Sequence, residues 1–155
     1  MPQYFDNNEK LESKKREISV ELNGENYSFI SDNGVFSKGE VDYGSIALLK
    51  VLLKEDIYGR VLDVGCGYGT IGLILAKKFS QGDFTLIDVN MRACALACEN
   101  AKRWKLDNVQ VIESNIFEKV DGIFDNIITN PPIRAGKKVI YAIFEQSYHH
   151  LKQNG

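Results

Sequence analysis

The chain has 155 residues, 44% of them hydrophobic and 26% charged, which is enough for one buried core and too few for two. A net charge of −2 supplies no global basic field, so a nucleic-acid partner must be engaged through a local patch or within a larger particle. No apolar run approaches a bilayer span, the three cysteines are odd in number, and the first residues lack the apolar core of a signal peptide, which together predict a cytoplasmic protein outside the membrane.

Residues 1–14 are polar and without periodicity and are expected to form a flexible arm. Residues 15–59 read as an elaboration of the domain that follows. The runs "REISVEL" and "YSFIS" flank the polar turn "NGEN", whose Asn-Gly pair signals a β-hairpin. After the Gly-rich stretch "GVFSKGEVDYGS", Ile46, Leu48, Leu49, Leu52 and Leu53 recur at helical spacing behind Ser45, the predicted N-cap. Residues 60–155 then alternate in type: strand "RVLDVGC", helix "TIGLILAKKF", strand "DFTLIDVN", helix "RACALACENAKRWK", strands "VQVIES" and "FDNIITN", helix "VIYAIFEQSYHHL". Nearly continuous apolar strands separated by helices indicate a parallel sheet covered on both faces. The fold class is α/β, a doubly wound Rossmann-like sheet preceded by a hairpin and a helix.

The first parallel strand ends in "LDVGCGYGTIG". Glycines there permit positive φ and let backbone N–H groups approach a nucleotide-like ligand. Two parses fit the spacing: Gly65-x-Gly67-x-Gly69 is the turn of S-adenosylmethionine (SAM) enzymes, and Gly67-x-Gly69-x-x-Gly72 is the dinucleotide fingerprint. Asp63, two residues before the first glycine, suits a cationic amino-acid group better than a pyrophosphate. Asp88 ends the second strand about 20 residues beyond the glycines, where a carboxylate accepts from both ribose hydroxyls. At the end of the third strand, Asn115 and Ile116 reach the same rim and suit the amino group and face of an adenine, although Asn115 equally suits a strand cap.

With "LDVGCGYGTIG", "DVN" and "NPPI" in this order, the chain resembles class I SAM-dependent methyltransferases, most closely the branch of small-subunit ribosomal RNA guanine-N2 methyltransferases. "GVFSKGEVDYGS" and "NPPIRAGK" also resemble that branch, and the likeness runs from about Tyr27 to the C-terminus. It implies that Gly65, Gly67 and Gly69 line the methionine part of SAM, with Asp63 near its ammonium. It further implies Asp88 on the ribose, Val89 against the adenine and Asn115 at the adenine amino group, where related enzymes often carry Asp. Family members continue into a further strand, helix and hairpin, so the C-terminal strands are expected to be missing, residues 60–155 to be a truncated core, and the strand before Asn130 to be an exposed edge. The implied partner is ribosomal RNA or the small ribosomal subunit.

The same resemblance gives "NPP" a chemical reading. An exocyclic amine is a poor nucleophile because its lone pair is delocalised into the ring. Acceptors on both of its N–H bonds localise that pair, and Asn130 offers a side-chain oxygen while Pro131 offers a backbone carbonyl. Proline fixes φ, and Pro132 holds Pro131 extended, so the carbonyl is aimed before the substrate arrives. The displacement needs alignment and no metal. Ile133, where many amine methyltransferases carry Tyr or Phe, walls the base by apolar contact, and Arg134, Lys137 and Lys138 are placed for phosphates of an extruded nucleotide. Elsewhere the plainer readings hold: core packing for Cys94 and Cys98, a helix-end aromatic for Trp104, dipole contacts for His149 and His150, and a solvated cluster at Lys14, Lys15 and Arg16.

Overall fold

In the computed structural model, which describes residues 12–35, 43–131 and 136–155, strands β1 (Arg16–Leu22) and β2 (Glu25–Ser31) form an antiparallel hairpin with Leu22 opposite Glu25. The turn is therefore shorter than the predicted "NGEN" and consists of Asn23 and Gly24. Both take positive φ, 52° and 81°, which these two residue types adopt at least cost. Helix α1 (Tyr43–Leu52) begins two residues ahead of the predicted cap, so Ser45 lies inside the first turn.

The remaining elements are β3 (Arg60–Val64), α2 (Thr70–Lys78), β4 (Asp83–Asp88), α3 (Met91–Arg103), β5 (Val109–Glu113), β6 (Asn126–Thr129) and α4 (Lys137–His150). The strands form a parallel sheet in the order β5-β4-β3-β6. β3 has β4 on one side and β6 on the other, so the winding direction reverses there and a crevice opens beyond the carboxyl ends of the strands. Among the described residues β6 is the edge strand of this sheet.

Alternate residues of each strand enter different cores. Val61, Phe84, Leu86 and Ile128 pack with α2, α3 and the hairpin, while Leu62, Val64 and Ile87 pack with Phe117, Val120, Phe124 and Ile143. Burial on both faces is the reason these strands read as apolar runs. The hairpin shares the first core through Ile18, Leu22, Tyr27 and Phe29. Asn100, wholly buried on α3, joins it to the glycine turn: its oxygen accepts from the Ile30 N–H at 2.8 Å, and its nitrogen donates to the carbonyls of Ile30 (3.0 Å) and Tyr68 (2.9 Å).

Trp104 is a packing residue, 4.8 Å from the Phe29 ring and donating its indole N–H to the Ser28 carbonyl. Cys94 is buried but Cys98 is exposed, so the shared packing face predicted for them holds for Cys94 alone. His150 stacks on Phe117 at 4.8 Å with Nδ1 2.9 Å from the Gly122 carbonyl oxygen. Lys15 pairs with Glu99 at 2.9 Å. Ser13 and the Lys14 N–H both donate to the Asp32 carboxylate, while residues 1–11 lie outside the described residues.

Candidate active site

Sheet register sets the site. Val64 stands opposite Ile87 on β4 and Thr129 on β6, so one residue further on Gly65 is level with Asp88 and Asn130. The Thr129 hydroxyl donates to the Val64 carbonyl at 3.0 Å and holds the ends of β6 and β3 together. With strands spaced ~4.8 Å, Asp88 and Asn130 flank the first glycine ~10 Å apart along one rim.

The turn itself has positive φ at Gly65, Gly67 and Gly69 (77°, 57° and 108°), a path that side chains with a Cβ resist. Its start is held by the N–H groups of Gly65 and Cys66, which both donate to the Ile87 carbonyl at 2.9 Å. A Cβ on Gly67 would meet nothing within 4 Å, which leaves room for a ligand above the turn. Gly72 differs: a Cβ there would sit 2.6 Å from Leu86 Cγ, so this glycine permits helix-to-strand packing.

Asp63 lies beneath the turn, 3% exposed, and its Oδ2 accepts from the Gly72 N–H at 3.0 Å. Gly69, the N-cap of α2, offers no side-chain cap, so a carboxylate from β3 caps this helix instead. A pyrophosphate at the α2 N-terminus would face that carboxylate, which argues against the dinucleotide parse. Burial raises the Asp63 pKa to about 7, opposed by the Gly72 N–H and reinforced by the charge of Asp88.

Asp88, 6% exposed, accepts from the Gly67 N–H and the Asn90 N–H, each at 2.9 Å. Burial pushes its carboxyl above the usual range, and backbone N–H groups of Asn90, Gly67 and Val89 pull it back. A carboxylate has about four lone-pair sites, so the brace on the glycine turn leaves acceptor capacity for ribose hydroxyls. Asn90 completes the corner. Its oxygen accepts from the N–H groups of Arg92 (2.9 Å) and Ala93 (3.2 Å), capping α3, and its nitrogen donates to the Gly34 carbonyl at 3.0 Å. The segment leaving β2 is thereby docked beside Asp88. Asn90→Ala is expected to lower the unfolding free energy by about 1 kcal/mol, read as a lower denaturation midpoint at unchanged m-value.

A cleft of about 340 Å³, mouth included, opens on this rim between Gly65, Asp88, Val89, Asn115 and Ile116, with Ile143 of α4 as part of its wall. It brings together five of the predicted cofactor residues; Asp63, Gly67 and Gly69 stand behind or beside it. Ile116 has φ 54°, a costly conformation for a β-branched residue. Buried Ser114 holds that turn, its hydroxyl donating to the Ile116 carbonyl (2.8 Å) and accepting from the Lys119 N–H (3.0 Å). An apolar cleft beside Asp88, an open glycine turn and the charge of Asp63 fit a ligand that is a nucleoside at one end and a cation at the other, which is the chemistry of SAM.

Asn130 is half-buried, and its Nδ2 donates to the hydroxyl of Ser45 at 3.1 Å; Pro131 follows, also half-buried. Pro132, Ile133 and Arg134 lie outside the described residues, while Lys137 and Lys138 are exposed in the first turn of α4. Among the described residues no group of His, Cys, Asp and Glu is placed to hold a metal ion, and no helix is long and apolar enough to cross a membrane. Sequence reasoning missed Ser45, Asn90 and Ser114 as parts of the site. A signal existed for Asn90, a cap residue two positions after Asp88, but nothing local marked the other two.

Residues 26–155 match the family model described as the methyltransferase small domain. The chain is 47% identical over 154 residues to the uncharacterized protein YbxB of Bacillus subtilis, a match covering 98% of this chain and 77% of that protein. It is 36% identical over 138 residues to ribosomal RNA small subunit methyltransferase C of Haemophilus influenzae, covering 84% of this chain and 40% of that one. Among solved structures, the T. thermophilus 16S rRNA N2 G1207 methyltransferase in complex with AdoMet and guanosine superposes with a TM-score of 0.80 at 29% identity, covering 89% of this chain and 39% of that one. M. jannaschii TYW2 in complex with AdoMet shares the fold, with a TM-score of 0.69 at 23% identity, covering 92% of this chain and 61% of that one. The chain thus spans about 40% of the length of the ribosomal RNA methyltransferases it matches.

Proposed function

The chain belongs to the methyltransferase small domain family, and from that premise we propose that it transfers a methyl group from SAM to an exocyclic amine, guanine N2 of small-subunit ribosomal RNA. The observation that carries this reading is the register that sets Gly65, Asp88 and Asn130 on one rim. The acceptor is supported by two similarities: the H. influenzae relative is named a ribosomal RNA small subunit methyltransferase, and the T. thermophilus structure contains guanosine. A ribosomal substrate also sets the place of action in the cytoplasm.

In this mechanism Asp88 would take the ribose, Val89 and Ile116 would hold the adenine, Asn115 would meet its amino group, and the charge of Asp63 would favour the methionine ammonium near the turn of Gly65, Gly67 and Gly69. When bound, SAM would supply an electrophilic methyl for the amine lone pair, its sulfur keeping the C–S electron pair and the nitrogen losing one proton to water. Asn130 and the Pro131 carbonyl accept the amine N–H bonds and turn its lone pair out of the ring, with Pro132 restraining the mount and Ile133 walling the base. No strong general base is required, since the methylated nitrogen cation is acidic. Lys137 and Lys138, exposed at the start of α4, would supply charge for phosphates flanking the target nucleotide.

The test is methyl transfer from labelled SAM to small ribosomal subunits, and to their naked RNA, from cells lacking guanine-N2 methylation. Label is expected in N2-methylguanosine. Label in DNA adenine, a protein glutamine or a small molecule would replace the acceptor, and SAM binding without transfer to any of these would leave a binding module in place of an enzyme.

A further inference from the structure

Asn130 can activate an amine only with its oxygen toward the substrate, because a half-turn of the amide would set N–H against N–H. In the structure its nitrogen is turned away, toward a contact from another part of the chain. The Nδ2 atom donates to the hydroxyl of Ser45 at 3.1 Å, across 85 residues of sequence. Ser45 is 6% exposed, and with Leu49 it forms the buried face of α1, a helix whose Tyr43 and Val51 are exposed. Spaced four apart, Ser45 and Leu49 lie one above the other, so fully buried Leu49 anchors the turn that carries the hydroxyl.

We propose that Ser45 is a positioning residue for methyl transfer, its hydroxyl holding the Asn130 amide with nitrogen toward α1 and oxygen toward the incoming amine. This rests on the reading that Asn130 accepts the amine N–H. Ser45 does not line the cofactor cleft, and its effect on transfer passes through the amide of Asn130. The first turn of α1 thereby becomes part of the active site, although it contributes no group to the cofactor cleft.

The test compares Ser45→Ala, Ser45→Thr, Asn130→Ala and the Ser45→Ala/Asn130→Ala double variant in the full chain. Ser45→Ala is expected to lower kcat about tenfold, the worth of one hydrogen bond, with SAM affinity and RNA KM within about twofold of the parent. In the Asn130→Ala background the same change is expected to have no further effect. A readout independent of turnover is the side-chain amide of Asn130 in ¹⁵N spectra: slowed exchange in the parent and in Ser45→Thr, lost in Ser45→Ala while backbone signals elsewhere persist. Unchanged kcat in Ser45→Ala, or an equal loss in both backgrounds, overturns the proposal. So does a Ser45→Thr protein that keeps the slowed amide but not the rate. Full activity in Asn130→Ala instead overturns the role of Asn130 itself, and the two failures are thereby separated.

Discussion

Asn130→Ala is expected to lower kcat for methyl transfer about 10²- to 10³-fold, the usual consequence of removing one preorganised group aimed at a transition state. The SAM dissociation constant should stay within about twofold, because the cleft proposed for the nucleoside is lined from β3, β4, the segment after β5 and α4, and not by β6. Stability should change by about 1 kcal/mol, since the side chain is half-buried and the hydrogen bond lost to Ser45 is a neutral one. Asn130→Asp keeps an acceptor at the same place and should retain more activity than the alanine variant. Single-turnover rates with labelled SAM, beside calorimetric SAM titration, separate these effects. An Asn130→Ala protein that binds SAM normally and transfers methyl at the parent rate would falsify the assigned role. The sheet accounts for the position of this residue: Thr129 fixes the end of β6 to β3 through Val64, so the next residue is delivered to the rim beside the glycine turn.

The fold was legible because its signals are local and repeated. Apolar strands between amphipathic helices, an Asn-Gly turn and a glycine cluster after the first parallel strand each follow from short-range chemistry, and each is present at or within a few residues of its expected place. The positions of Asp88 and Asn130 were legible for the same reason, as strand ends on one side of a parallel sheet. What could not be read were partnerships across long stretches of chain. Nothing near Ser45 marks it as the partner of Asn130, and from its own neighbours it read as a helix cap. Asn100 sits in a helix of ordinary composition, yet its amide ties the backbone of Ile30 to that of Tyr68. Asp63 is legible from its charge and its place two residues before the first glycine, but its role in capping α2 depends on which face of β3 it occupies. Such pairings are set by how helices pack on the sheet and by its register, which a single sequence specifies only through the whole pattern of burial.

Asp63→Asn is expected to change stability and SAM affinity in opposite directions. The folded pKa of Asp63 is raised from 3.8 to about 7, first by burial, then by the charge of Asp88, against the pull of the Gly72 N–H. Below about pH 4 the carboxyl is protonated in both folded and unfolded chains and costs nothing. Between pH 4 and 7 the unfolded chain ionises while the folded one holds its proton, so stability falls as pH rises. Above pH 7 both are ionised and the whole cost is present. A shift of about 3 units corresponds to at most about 4 kcal/mol, and burying an amide in its place should leave a net gain of about 2 kcal/mol at pH 8. The asparagine oxygen can still accept from Gly72, so the α2 cap survives. SAM reverses the preference, because its ammonium favours the ionised carboxylate; binding below pH 7 must then release a proton, and affinity should rise up to about tenfold per pH unit before levelling above pH 7. In Asp63→Asn that slope should disappear and affinity at pH 8 should be about tenfold weaker, while the thermal midpoint of the free protein rises. Calorimetry in buffers of different ionisation enthalpy counts the released proton directly. The same proton count in parent and variant would assign the pH dependence to another group and leave Asp63 as a helix cap alone.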